Sequence, residues 1–527
     1  MFIDVMEIDA AQYALISMEM SFSKSFLHVY QQGHDYLDKP PLLFWLSSLS
    51  FIFFGISNFA YKFPSIILAI LGIYSLYRFA GLWYSKEKAL LSALILASCQ
   101  ALFLMTNDVR TDTNLLGLVM FAIWQLNEYL INSKWKHLIL ASIGLAGAMM
   151  AKGPIALVIP AAAFGTDFLL KRQWKNIFRP QWIVLLLSIA LFLIPMSYGL
   201  YTQFDLHPEK YVYGLQGPSG LKFFYWTQSF GRITGENYWK NDSGYFYFLH
   251  TILWDFQPWI LLFIPALLLK ISKLIRKGPE VDERAEYISL GGFVLVFFVL
   301  SLSKYKLPHY IFVVLPFASI ITADFLYRLK AKLLSRISIV QFGIMHLFWL
   351  IIATNFVFFF PPANAFLPIV LTLLFLANWY AFHQFKGTVE RIFVPTLLTA
   401  IGFNLMMATH FYPNLLKYQA SSQVGKIVSE SNIEADKFYQ YGHSSFSLDF
   451  YAKRITPAVD LTSIKTIKPQ SWIYIDETGL QELKENHIAF KMIKELPSFK
   501  VTNLKFPFLF AETRSKSCTS EYIIELM

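Results

Sequence analysis

Apolar residues gather into long runs along the chain, and short polar turns separate one run from the next. A helix needs about 20 such residues to cross a hydrocarbon core about 30 Å thick. The runs predict spans near 62–84, 88–106, 113–132, 137–152, 154–170, 182–203, 250–270, 286–303, 308–327, 336–359, 364–385 and 391–411, twelve in all. The two shortest flank Lys152-Gly153-Pro154, which predicts a turn at the membrane surface. A further run, 42–58, is framed by Pro40-Pro41 and interrupted by Gly55, and it predicts a hairpin or interfacial helix. After residue 412 the pattern changes: amphipathic stretches at 419–432 and 478–486 alternate with short β-rich runs at 437–441, 472–475 and 508–510. That alternation predicts a small α/β domain. The expected fold is therefore an α-helical polytopic membrane protein, with a transmembrane domain over 1–411 and an α/β domain over 412–527.

Composition agrees with this reading. Of 527 residues, 55% are hydrophobic and 15% charged, whereas soluble domains carry roughly 25% charged residues. A soluble enzyme and a disordered chain are both excluded. The net charge of +10 does not call for nucleic acid, because the basic residues sort by membrane side. One set of short loops holds Lys86/Lys88, Lys134/Lys136, Lys171/Arg172/Lys175/Arg179, Lys270/Lys273/Arg276/Lys277/Arg284, Arg328/Lys330/Lys332/Arg336 and Lys386/Arg391. The opposite set holds Arg110, Lys152, Lys304 and Lys306, so the asymmetry is nineteen to four. Basic loops stay in the cytoplasm, which puts residues 1–61, the long loop 204–249 and the tail outside. Met1-Phe2-Ile3-Asp4 then opens in an outward segment with no signal peptide or earlier span, so one further helix is expected upstream of this sequence. Cys99 and Cys518 form neither a disulfide framework nor a metal-type spacing.

Ionisable residues at the outer face are where chemistry is expected, since charge at that depth is costly. Four clusters lie there. Asp9 opens an apolar-patterned segment through Met20, where it serves as a helix-start acid or as a reacting carboxylate. Asp38-Lys39-Pro40-Pro41 holds an acid and a base in register on a stiff backbone; Lys39 either snorkels or meets a phosphate, and Asp38 binds a cation or orients a partner. Asn107-Asp108-Val109-Arg110-Thr111-Asp112 packs charge into a tight turn, as a capping pair or as a polar site. Lys304-Tyr305-Lys306-Leu307-Pro308-His309-Tyr310, with Arg232 in the long loop, places cations against the topological bias, which a lipid phosphate would justify.

With these segments in order, the chain resembles the polytopic glycosyltransferases that use polyprenyl-phosphate sugars, the GT-C group that includes the lipid A aminoarabinose transferases and the protein O-mannosyltransferases. The resemblance runs through the Asp-containing first loop, Lys39-Pro40-Pro41-Leu42, Lys62-Phe63-Pro64-Ser65, Arg110-Thr111-Asp112, Ala151-Lys152-Gly153-Pro154 and the Lys306-Leu307-Pro308 core. It implies a catalytic Asp9, a metal-binding Asp38, a lipid-phosphate contact at Lys39, a second acidic site at Asp112 and a phosphate-contacting Arg232. The family's Asp-Glu-Ala-Arg-Tyr reads Asp9-Ala10-Ala11-Gln12-Tyr13 here, and Ser229 stands where the lipid A enzyme has a metal-binding His.

The expected activity is that of a membrane glycosyltransferase moving a sugar from a polyprenyl-phosphate donor to an extracytoplasmic lipid, protein or glycan acceptor, with inversion. Lys39, Arg232, Lys306 and His309 would stabilise the departing phosphate, and Asp9 first, Asp112 second, would serve as general base. A divalent metal at Asp38 is the one cofactor in view, and no nucleotide cofactor is expected. A lipid or sugar transporter is the alternative, although its charges should lie near midplane in paired halves. A non-catalytic assembly or adhesion protein is a third reading, and it would not need Asp9 and Lys39 together.

Overall fold

The computed structural model of the chain describes residues 3–228, 231, 243–277, 282–442 and 444–527. Each of the twelve expected runs is helical over most of its length. Helix α1 (Asp9–Ser23) carries an acid in its first turn and stops at Lys24, whose φ of 55° is left-handed. Helix α2 (Leu42–Phe54) starts directly after Pro40-Pro41 and ends at Gly55. Its 13 residues rise only about 20 Å, too little to cross the core. Ser57 caps α3 (Asn58–Ala80) by accepting from the Ala60 amide at 3.2 Å.

Two expected spans are broken, and the breaks mend one another. Helices α4 (Lys86–Ser98) and α5 (Gln100–Asn107) meet at a 54° bend at Cys99. The run 250–270 divides into Tyr247–Asp255 and Ile260–Lys277 around Pro258. The Gln100 amide donates to the Gln257 carbonyl at 2.8 Å. The Trp259 indole donates to Ser98 Oγ at 2.9 Å, and Gln341 donates to the Pro258 carbonyl at 2.9 Å. Irregular backbone survives at membrane depth where protein groups satisfy it.

Helices α6 (Thr111–Asn132) and α7 (Trp135–Lys152) run antiparallel, and Gly153 (φ 97°) with Pro154 turns the chain into α8 (Ile155–Leu170). By length and composition, seven helices of the described residues can cross a bilayer, eight if α4 and α5 count as one span. That is fewer than the twelve expected. The shortfall includes the 16-residue α8 and the 15-residue Ile288–Leu302, each about 22–24 Å long, and the helix pair interrupted at Pro258. The protein is a multi-pass membrane protein.

The chain end folds around a five-stranded sheet. Edge to edge, its strands are Ala458–Val459, Phe438–Tyr441, Trp472–Asp476, Thr519–Leu526 and Phe490–Ser498. The first three are parallel and the last two join antiparallel. Helices Ala420–Glu430 and Phe446–Ala452 cover one face and dock on the first loop. The Glu7 carboxylate accepts from the Phe446 and Ser447 amides at 3.1 Å each, capping Phe446–Ala452. Burial raises the Glu7 carboxyl above its usual range, against these hydrogen bonds. Lys426 pairs with Asp4 at 2.6 Å, and Gln32 donates to Asp449 at 2.7 Å. Phe450 packs on Phe51 and Tyr61. The residues just before Asp9 are thus clamped between the sheet module and the helical bundle.

Helices α3 and α6 approach so closely that a side chain on Gly117 would collide with the Leu68 carbonyl. Gly165 on α8 has open space around it. Gly117→Ala should destabilise the purified protein by about 1–3 kcal/mol, whereas Gly165→Ala should leave its equilibrium unfolding in mixed micelles unchanged or slightly improved. Equal tolerance at both positions would contradict this packing.

Candidate active site

Four segments distant in sequence come together at one end of the bundle around a cavity of about 600 Å³. Charged side chains line it: Asp9 from α1, Asp38 and Lys39 before α2, Arg110 and Asp112 at the start of α6, Lys152 at the end of α7, and His309. Apolar side chains share the lining: Leu115, Ile155, Val158, Val299, Leu300 and Val313.

Pairing fixes each charge. Arg110 binds Asp108 within its own turn, Nε to Oδ2 at 2.8 Å, and reaches across to Asp9. Burial opposes the Arg110 charge, and Asp108 and Asp9 outweigh that penalty and keep it protonated. The Asp112 carboxylate, 1% exposed, pairs with Lys152, and His309 Nε2 stands 3.8 Å from its second oxygen. Lys152 also sits 3.9 Å above the Tyr310 ring centre, a cation–π contact. Lys39 pairs with its neighbour Asp38 at 2.7 Å, while Gln228 donates to the Asp38 carbonyl.

Tyrosines complete the lining. Burial, reinforced by the Asp9 and Asp38 charges, holds the Tyr13 hydroxyl well above its ordinary pKa. Burial and Asp38 do the same for Tyr36 and raise Tyr213. All three therefore remain neutral hydrogen-bond donors. Among the described residues the buried Tyr36 hydroxyl and Asp38 Oδ1 have no hydrogen-bond partner. Buried polar atoms without a partner are rare, and these two belong to residues that line the cavity.

The expected residues Asp9, Asp38, Lys39, Asp112 and His309 all line this cavity. Lys306 does not: its ammonium donates to the Ser243 carbonyl at 3.0 Å and lies 5.7 Å from the centre of the Tyr245 ring. Arg232 and Ser229 lie outside the described residues. Among the described residues lining the cavity, Asp38 Oδ1 is the one carboxylate oxygen buried without a partner. Among the described residues no group of three or more His, Cys, Asp or Glu side chains is placed to hold an ion. Arg110 and Lys152 are the additions the structure makes to the site. Both are visible in the sequence as outward cations against the charge bias, and their cross-chain partners are not.

A family model described as dolichyl-phosphate-mannose-protein mannosyltransferase matches residues 38–198. The undecaprenyl phosphate-α-4-amino-4-deoxy-L-arabinose arabinosyl transferase 2 of Proteus mirabilis is 27% identical over 316 residues, covering 59% of this chain and 52% of that protein. An uncharacterized protein of Aquifex aeolicus is 30% identical over 328 residues, covering 62% of this chain and 69% of the relative. The chain belongs to the polytopic GT-C glycosyltransferase family. Its fold superposes on that of ArnT from Cupriavidus metallidurans, crystallised with undecaprenyl phosphate, with a TM-score of 0.75 at 15% identity over 99% of this chain and 94% of the other. The chain spans about half the length of the curated arabinosyl transferases it matches. GT-C membership sets the transporter alternative aside.

The Lys152–Asp112 pair gives a direct test of this geometry. Lys152→Met strands a buried carboxylate and should cost about 3 kcal/mol or more in equilibrium unfolding. Adding Asp112→Asn should recover much of the loss. Full additivity of the two changes would show that the residues do not pair.

Proposed function

We propose that this chain transfers a sugar from a polyprenyl-phosphate donor to an extracytoplasmic lipid, protein or glycan acceptor, and that the 600 Å³ cavity is where it does so. The observation that carries the reading is a lining that combines charged, hydrogen-bonding residues with apolar ones. A lipid-linked sugar phosphate combines the same two kinds of surface. The arabinosyl transferase relatives are named for an undecaprenyl phosphate donor, and the ArnT structure contains undecaprenyl phosphate. The basic-loop asymmetry supports a cavity, and a module over 412–527, on the periplasmic side of the inner membrane.

In this mechanism the acceptor oxygen attacks the anomeric carbon as the bond from that carbon to the phosphate oxygen breaks, which inverts the centre. The phosphate leaves with the electron pair, and Lys39, Lys152 and His309 stabilise its growing charge. Asp9, with a side chain 40% exposed, takes the acceptor hydroxyl proton. Asp112 is sealed from solvent by Lys152 and holds that lysine and His309 in place, which leaves the base role to Asp9. Asp38 orients Lys39. An acceptor that is itself a phosphate needs no base, and Asp9 then orients it.

Purified full-length protein should move labelled sugar from polyprenyl phosphate into an acceptor fraction of its own membranes. Asp9→Asn and Lys39→Ala should each lower the rate by about 100-fold or more. Equal rates in all three proteins would remove this site assignment, and no transfer to any acceptor fraction by the folded protein would remove the activity.

A further inference from the structure

A second cavity, of about 530 Å³, opens at the other end of the bundle. Helix Ile288–Leu302 connects the two places: Leu300 lines the first cavity, and Tyr287, just before the helix, lines the second. The separation is about 20 Å. The turn from α3 to α4, the ends of Ile260–Lys277 and Leu315–Arg328, and residues 282–287 enclose the second cavity. These are three of the basic loops that the sequence assigns to the cytoplasmic side.

Five cations and three acids line it. Asp324 is consumed by Lys88 and Arg328, each at 2.8 Å. Glu286 is held by Lys270 at 3.3 Å and by the Tyr84 hydroxyl at 2.9 Å. Asp282 accepts from the Arg284 amide at 3.0 Å. Among the described residues no carboxylate lies within ion-pair distance of the Lys273 or Arg284 side chain. Trp83 supplies an independent sign: its indole Nε1 is buried and meets no acceptor among the described residues. Two cations without a carboxylate and one buried N–H without an acceptor thus share this cavity, and a phosphate group brings several acceptor oxygens and a negative charge. Leu269, 48% exposed, and Leu274 extend the lining along Ile260–Lys277 toward the apolar outer surface of the bundle.

We propose that this second cavity binds the phosphate headgroup of an anionic phospholipid, with the acyl chains lying along Leu269 and Leu274. Basic pockets between helices at the cytoplasmic surface suit such headgroups. The site is independent of the sugar-transfer cavity.

Native mass spectrometry of the full-length protein, titrated with phosphatidylglycerol, phosphatidylcholine or inorganic phosphate, tests the proposal. Phosphatidylglycerol should bind at least about tenfold more tightly than phosphatidylcholine. The double variant Lys273→Gln/Arg284→Gln should weaken it roughly 30-fold, taking the usual contribution of each basic residue. Trp83→Phe, which keeps the ring and removes the donor, should weaken it several-fold. Lys86→Gln, on the same face outside the cavity, should leave the affinity within about twofold. Losses in Lys86→Gln as large as those in the double variant would reduce the effect to general surface attraction and overturn the proposal. Equal affinity for the two lipids would overturn it too, as would displacement of phosphatidylglycerol by millimolar inorganic phosphate, which would mark a free-phosphate site.

Discussion

A charge at the edge of a hydrocarbon core is stable only when a partner of opposite sign reaches it, because the low dielectric cannot hold it alone. In this protein the partners come from far along the chain. Arg110 reaches Asp9, 101 residues away, and Lys152 reaches Asp112, 40 residues away. These two pairs draw the first loop, the turn into α6 and the α7–α8 turn to one point, and His309 adds a fourth segment there. All of these paired residues line the cavity.

The same pairing prepares the proposed chemistry. Cations that already face a cavity, held by carboxylates, need little rearrangement when negative charge develops on a departing phosphate. Asp38 and Lys39 are paired at 2.7 Å and followed by two prolines, whose fixed φ restricts the backbone there. The sheet module adds a brace from outside the bundle. Its hold on Asp4, Glu7 and Gln32 fixes the backbone on either side of Asp9 and α1.

Much of this is legible in the sequence, and the limits have physical causes. Helix positions are readable because apolar run length reports directly on the membrane. The Lys152-Gly153-Pro154 turn is readable because glycine at φ 97° followed by proline cannot continue a helix. The bend at Cys99 is not. Nothing at 99–100 breaks a helix locally, and the bend depends on an acceptor at Gln257 and a donor at Trp259. Asp9, Asp38, Lys39, Asp112 and His309 stand out because ionisable residues are rare in this chain. Tyr13, Tyr36 and Tyr213 give no contrast in a sequence that is 17% aromatic. Lys306 carries the same signal as Lys39, yet its ammonium turns to the Ser243 carbonyl, a contact no local pattern encodes. The basic loops show only a topological mark in the sequence, and three of them also shape a cavity.

The two cavities make different demands on a lipid phosphate, and one structure would separate them. Imaging the full-length protein in nanodiscs with undecaprenyl phosphate is the most direct test of the sugar-transfer site. Phosphate density is expected in the larger cavity within contact of Lys39 and the Lys152–His309 side, with the prenyl chain over Leu115, Ile155 and Val158. Phosphate bound elsewhere, with that cavity empty and the Arg110–Asp9 and Lys152–Asp112 pairs undisturbed, would contradict it.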